Sequence, residues 1–375
     1  MKLPIYLDYA ATTPVDERVL EEMLPYFNQN FGNAASRYHA FGWLADDAVQ
    51  VSMDRISKAI NCKNADIIFT SGATESINLA IKGYFDANPD KTHFITISTE
   101  HKATLDTINT IKNKGIKSSV IGVNSEGEIN VEELEKSIRP ETGLISFLWV
   151  NNETGVISPL EKIIAIAKIN KIAVHVDGTQ AIGKLDVNFQ NLGIDLLSFS
   201  GHKFYGPKGI GVLIRSKGVN IESQIVGGGH QKNLRSGTLN IPGIVGLGKA
   251  IEVSTENIEN EQIRMNEISN NFSSGLLNQF PFCTINAPSV SRVSHILNVC
   301  FTGYDGQELL NRFSNLAISN GSACNSASIF PSHVLKAMGL SDADSLSSLR
   351  FSFGKFTTSE EITKCIEHLR IKIKF

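Results

Sequence analysis

No long apolar run, no surplus of one charge and no cysteine pairing occurs in this chain, and each lack removes a class of protein. The most apolar segment, residues 144–150, is broken by Ser146 and falls far short of the roughly 20 residues that span a bilayer. The opening residues Met1-Lys2-Leu3-Pro4-Ile5-Tyr6-Leu7-Asp8 lack the apolar stretch of a secretory signal. Lys and Arg number 35 against 38 Asp and Glu, a net charge of -3 with no basic block, so nucleic acid and anionic membrane are poor partners. The five cysteines (Cys62, Cys283, Cys300, Cys324, Cys365) are odd in number, form no C-x-x-C pair, and match neither a disulfide framework nor a zinc site. A reduced, cytoplasmic compartment with no intrinsic metal follows. With 42% hydrophobic and 19% charged residues over 375 positions, what is left is a globular chain of two to three domains, at roughly 150 residues each.

From about residue 60 to 215, short apolar runs alternate with amphipathic stretches long enough for crossover helices. The runs are 67–70, 94–98, 144–150, 172–177, 196–200 and 212–215. Strands alternating with helices predict an α/β architecture with a mostly parallel sheet. Ser158-Pro159-Leu160-Glu161 has the spacing of a capping box, and Asn130-Val131-Glu132-Glu133 opens a helix the same way. A polar helical run over 252–271 reads as a link to a smaller α+β domain, with strands near 282–286, 295–301 and 349–353 and helices near 305–315, 331–338 and 358–370. The predicted division is 15–255 for the large domain, and 1–14 with 256–375 for the small one.

Ligands of open α/β sheets bind beyond the carboxyl ends of the strands, so the residues following each run carry the most information. After 67–70 comes Ser71-Gly72-Ala73-Thr74-Glu75 and then a helix, which is either an ordinary turn or a pocket for one phosphate. Asp177 ends the run 172–177 with Gln180 beyond it; the acid either caps a helix or holds a protonated ring nitrogen such as that of pyridoxal phosphate. The run 196–200 leads into Gly201-His202-Lys203, where a lysine is either a solvated loop residue or a Schiff-base nucleophile. Gly243–Ala250 nearly spells a phosphate-binding loop, but Ala250 lacks the hydroxyl and no strand precedes it, so it reads as helix packing. His93, His175 and His295 sit in strand-like runs and read as core histidines.

Five motifs together resemble the fold-type I, class V pyridoxal phosphate enzymes: Ser-Gly-Ala-Thr-Glu-Ser (71–76), Thr-Glu-His-Lys (99–102), Val-Asn-Asn-Glu-Thr-Gly (150–155), His-Val-Asp-Gly-Thr-Gln (175–180) and Ser-Phe-Ser-Gly-His-Lys (198–203). Arg-Ser-Gly-Thr (235–238) and Ser-Asn-Gly-Ser-Ala-Cys-Asn-Ser-Ala-Ser (319–328) narrow the resemblance to the NifS/IscS-type cysteine desulfurases. The resemblance implies that Lys203 carries pyridoxal 5'-phosphate, Asp177 binds its ring nitrogen, and His101 stacks on the ring and moves protons. Gln180 and Asn152 would contact ring substituents. Ala73, Thr74, Ser200 and His202 would hold the phosphate, with Thr238 reaching in from the second subunit of a homodimer. Arg350 would clamp the carboxylate of L-cysteine, with Asn152 beside it. Cys324, flanked by small and polar residues rather than a core, would take the sulfur as a persulfide. The product would be alanine. The sulfur would pass to acceptor proteins, such as an iron–sulfur scaffold or tRNA-thiolation proteins, with Cys324 also able to ligate a cluster in transit. The alternative is a class V aminotransferase or selenocysteine lyase that does not use the thiol.

Overall fold

The structure is a computed structural model describing residues 3–63, 65–320 and 330–373. Its centre is a sheet of seven strands: β1 (Asp66–Thr70), β2 (His93–Ile97), β3 (Lys117–Ile121), β4 (Thr142–Leu148), β5 (Ala173–Asp177), β6 (Leu196–Ser200) and β7 (Gly211–Arg215). They lie in the order β1-β7-β6-β5-β4-β2-β3. All run parallel except β7, which is antiparallel to both β1 and β6. Every residue of β2, β4 and β6 is buried, as expected of strands covered by helices on both faces. One polar thread crosses this core. His175 on β5 bonds Ser146 on β4 (2.7 Å) and Ser198 on β6 (2.8 Å), and burial depresses its pKa to about 3, keeping the ring neutral. His93 is likewise buried, bonded to Thr142 and Ser119.

Beyond the sheet, Ile241–Thr255 forms a helix that packs against the long helix Ala40–Ala59, with Gly248 at the close approach. Gly248 shows why small residues stand there: a Cβ would lie 2.8 Å from the Ser52 backbone. A second helix, Ile258–Gln279, follows, so the single linking helix expected over 252–271 is in fact two, parted at Glu256 and Asn257. The later strands Ser319–Asn320, Ser348–Ser352, Ile296–Phe301 and Cys283–Ile285 form a four-stranded antiparallel sheet in that order. It packs its own core of Phe272, Phe301, Phe313, Phe351 and Phe353. The N-terminal residues join this part: Ile5–Tyr6 pairs in parallel with Leu316–Ala317. Cys62, Cys283, Cys300 and Cys365 are buried free thiols.

Two further expectations are corrected. Strand β3 carries no strand signal in the sequence, because it is an edge strand of mixed polarity with only Ile121 fully buried. Ser158 does not cap its helix. Its hydroxyl is spent on the Leu148 carbonyl at 2.5 Å, and the helix Leu160–Ile169 starts without a side-chain cap. Asn130 does cap, accepting from the Glu133 amide. No described helix is long and apolar enough to cross a membrane.

Candidate active site

A cleft of about 520 Å³ opens at the carboxyl ends of the parallel strands. Its wall gathers Ala73, Thr74, His101, Asn152, Asp177, Gln180, Ser200, His202, Lys203 and Arg350, contributed by segments after five different strands and by the small sheet. Thr238 is exposed and lies outside this cleft. Cys324 lies outside the described residues.

The turn after β1 leads into the helix Ala73–Ala87, whose N-terminus has Gly72 at the cap position and no side-chain cap. Its first amides therefore keep their donors directed to the cleft, with the positive end of the helix dipole behind them. Glu75, the acid of that first turn, is drawn aside: it accepts from the Ser71 amide (2.8 Å) and from Arg235 (2.8 and 3.2 Å). The packing behind the turn is tight, because a side chain at Gly211 would meet the Gly72 backbone at 2.6 Å.

Asp177 closes the cleft floor at the end of β5. One oxygen accepts from the Thr179 amide at 2.9 Å. Burial raises its pKa, opposed by its hydrogen bonds to Thr179 and by the nearby His101 and Lys203 side chains. A buried carboxylate of this kind is stabilised by a cationic partner placed against it. Gln180 donates to the Ala10 carbonyl at 2.9 Å, while its own buried side-chain oxygen has no partner.

Lys203 sits in a single turn after β6 and donates to the carbonyls of Ala10 (2.8 Å) and Ala11 (2.6 Å). Beside it, burial and the Lys203 charge lower His202 to about 4, so it is neutral. His202 meets the Thr12 hydroxyl at 3.1 Å, and its carbonyl receives the Thr13 amide and hydroxyl. The segment 10–13 is thus the lid of the lysine turn. Sequence alone assigns no role to residues 10–13.

His101 caps the helix Lys102–Lys112, its Nδ1 accepting from the Ala103 amide at 3.1 Å. That bond leaves the ring proton on Nε2. Arg350, on the central strand of the small sheet, donates to Asp8 (2.8 Å) and to the Asn152 carbonyl (2.9 Å), and its buried Nε has no partner. Asp8 was also unassigned from sequence; it fixes Arg350 from across the chain. A further buried acid, Glu153, accepts from Ser332 at 2.5 Å and is pushed up to about 7 by burial.

The donor set fits pyridoxal phosphate: an uncapped helix N-terminus for the phosphate, a buried carboxylate for the ring nitrogen and a lysine between them. Among the described residues no cluster of His, Cys, Asp or Glu could hold a metal ion.

Comparison with known proteins agrees. The model of the family Aminotransferase class-V matches residues 5–365. A cysteine desulfurase IscS of Dechloromonas aromatica (strain RCB) is 44% identical, covering 100% of this chain and 93% of the relative. Among solved structures, a NifS-like protein superposes with a TM-score of 0.92 at 36% identity, covering 98% of this chain and 99% of the other. A structure described as SspA in complex with cysteine gives a TM-score of 0.83 at 36% identity, over 93% and 98% of the two chains.

Proposed function

Because the chain belongs to the class-V aminotransferase family, within its IscS and NifS-like members, we propose that it is a pyridoxal phosphate-dependent cysteine desulfurase. It converts L-cysteine to L-alanine and moves the sulfur to Cys324. The observation that carries this reading is the convergence of Lys203, Asp177 and the uncapped helix N-terminus on one cleft, in a chain 44% identical to a cysteine desulfurase. The same reading divides the chain into a large domain, 15–255, and a small one, 1–14 with 256–375.

When bound, pyridoxal phosphate supplies an electron sink for the substrate carbons. The chain's own groups do the rest. Amides of Ala73 and Thr74, with Ser200 and His202, hold the phosphate, and Asp177 keeps the ring nitrogen protonated. Gln180 and Asn152 orient the ring substituents. Lys203 would anchor the ring and would move protons at the substrate's reacting carbon. His101, held by its Nδ1 bond to the Ala103 amide, would stack on the ring and move protons. Arg350 receives the substrate carboxylate, with Asp8 and the Asn152 carbonyl locking its fork. The Cys324 thiolate attacks the substrate sulfur. The sulfur–carbon bond breaks with its electron pair left on carbon, which takes a proton to become alanine, and Cys324 holds the persulfide. Acceptor proteins such as an iron–sulfur scaffold or a tRNA-thiolation protein then remove the sulfur, in the cytoplasm.

A homodimer belongs to the same proposal. Phe27, Phe31, Tyr38, Phe41, Trp43 and Leu44 form a run of exposed large apolar side chains near the N-terminus, the kind of surface a second copy covers. Thr238, outside its own cleft, would serve the phosphate of the partner subunit.

The test is Cys324→Ser with L-cysteine and a reductant. Cofactor binding and the substrate-induced spectral change should persist, while sulfide and alanine both fail to accumulate. Mass spectrometry of wild type after brief exposure to cysteine should place added sulfur on the Cys324 peptide. Alanine formed by Cys324→Ser at the wild-type rate would instead assign a lyase that bypasses the thiol.

A further inference from the structure

The backbone of Gln231, Lys232 and Asn233 lies wholly in the left-handed region, with φ of 49°, 58° and 63°. Single non-glycine residues adopt this conformation in only roughly a few per cent of cases, and none of these three is glycine. A left-handed turn of three such residues persists only where its surroundings impose it, and strain of this kind gathers at functional sites.

The surroundings do impose it. Strand β1 is an edge of the central sheet. Its outward-facing Phe69 amide donates to the Gln231 side-chain oxygen at 2.7 Å, and the Gln231 side-chain nitrogen donates back to the Phe69 carbonyl at 2.9 Å. One carboxamide therefore does the pairing of one residue of a missing eighth strand. Lys232 adds an ion pair to Asp66 at 2.6 Å, and Arg235 is forked onto Glu75 in the turn that leads into the helix Ala73–Ala87. The Ser236 amide closes the loop on the Ile225 carbonyl at 2.9 Å. Past these anchors only Gly237, Thr238 and Leu239 remain before Asn240 caps the next helix. Thr238 is thus held out from a short tether whose two ends are fixed.

We propose that Gln231 is a positioning residue for phosphate binding: by docking the strained turn on the sheet edge, it sets where Thr238 meets the cofactor phosphate of the partner subunit. This rests on the reading that Thr238 acts across a homodimer. The same loop is tied through Arg235 and Glu75 to the phosphate turn of its own chain, so both phosphate sites of a dimer depend on it.

Equilibrium binding of pyridoxal phosphate and of pyridoxal, which lacks the phosphate, to cofactor-stripped full-length protein tests this. Gln231→Leu should weaken pyridoxal phosphate about tenfold and leave pyridoxal almost unchanged, with the protein still dimeric by sedimentation. Gln231→Glu keeps an acceptor for the Phe69 amide but loses the donor to its carbonyl, so it should fall between wild type and Gln231→Leu. It also serves as the readable variant if Gln231→Leu does not fold. Unchanged pyridoxal phosphate affinity in both variants, or equal losses for the two ligands, overturns the positioning role. Thr238→Val reports on the underlying reading alone. If it leaves phosphate discrimination intact, Thr238 is not the contact and the proposal falls with it. If it loses discrimination while Gln231→Leu keeps it, only the role of Gln231 is refuted.

Discussion

In the middle of the central sheet, His175 has both ring nitrogens bonded to serines on the flanking strands, and nothing polar is left over. Two residues along the same strand, Asp177 begins a different regime. There Gln180 keeps a buried oxygen without a partner, as does the Nε of Arg350 across the cleft, and Asp177 is pushed away from its ordinary pKa by burial. Both regions are buried and both are polar. The sheet interior satisfies its polar atoms internally, whereas the strand ends leave theirs for something that is not protein. Substitutions should separate the two regions, costing activity at the ends and stability in the middle.

The largest effect expected is at Lys203. Lys203→Ala should lower alanine formation from cysteine by at least about 10³-fold, because both the anchor and the proton carrier are lost. It donates to the Ala10 and Ala11 carbonyls of the lid rather than to the core, so the melting temperature should move by just a few degrees, read by calorimetry. Next, Asp177→Asn should retain the cofactor's colour but slow turnover on the order of 10²-fold, about 2.7 kcal/mol of barrier. Wild-type turnover in that variant would remove the distinction between Asp177 and an ordinary helix cap.

His175→Leu sharpens the contrast from the other side. It strands the hydroxyls of Ser146 and Ser198 in a dry interior, so denaturant unfolding should show a loss of about 4 kcal/mol, with activity per folded molecule unchanged. Glu153 gives the smallest and most conditional effect. Its folded-state pKa of about 7 lies above the ordinary 4.5, so its stabilising contribution is complete below about 4.5 and is lost as pH rises to about 7. Glu153→Gln keeps an acceptor for Ser332 and removes the titration. The variant should gain up to about 3 kcal/mol relative to wild type between pH 5 and pH 8, measured as the difference between two unfolding titrations. A pH-independent difference would assign the titration to another group.

Much of this was legible beforehand because the informative residues obey a positional rule. Ala73, Asp177 and Lys203 each follow a strand with a strong apolar signal, and the rule that ligands meet the carboxyl ends of such strands led directly to them. Strand β3 escaped because Lys117-Ser118-Ser119 has neither apolar continuity nor alternation; its place is fixed by pairing with β2 rather than by burial. Ser158 carried the right local pattern, but a tertiary acceptor, the Leu148 carbonyl, outcompeted the cap. Asp8, Ala10 and Thr13 were beyond reach for another reason. Their roles are set by Arg350, Lys203 and His202, far away along the chain, and no local periodicity encodes such a meeting.

That distance has a consequence during synthesis. The Leu7 amide bonds the Ala317 carbonyl, and Asp8 bonds Arg350, so residues 7 and 8 cannot dock until residues 317 and 350 have been made. Until then the strands from β1 to β7 can assemble and the lysine turn can form, but the lid over it has no second anchor. The small sheet that carries Arg350 therefore completes the cleft late, by holding residues 7 and 8 in place.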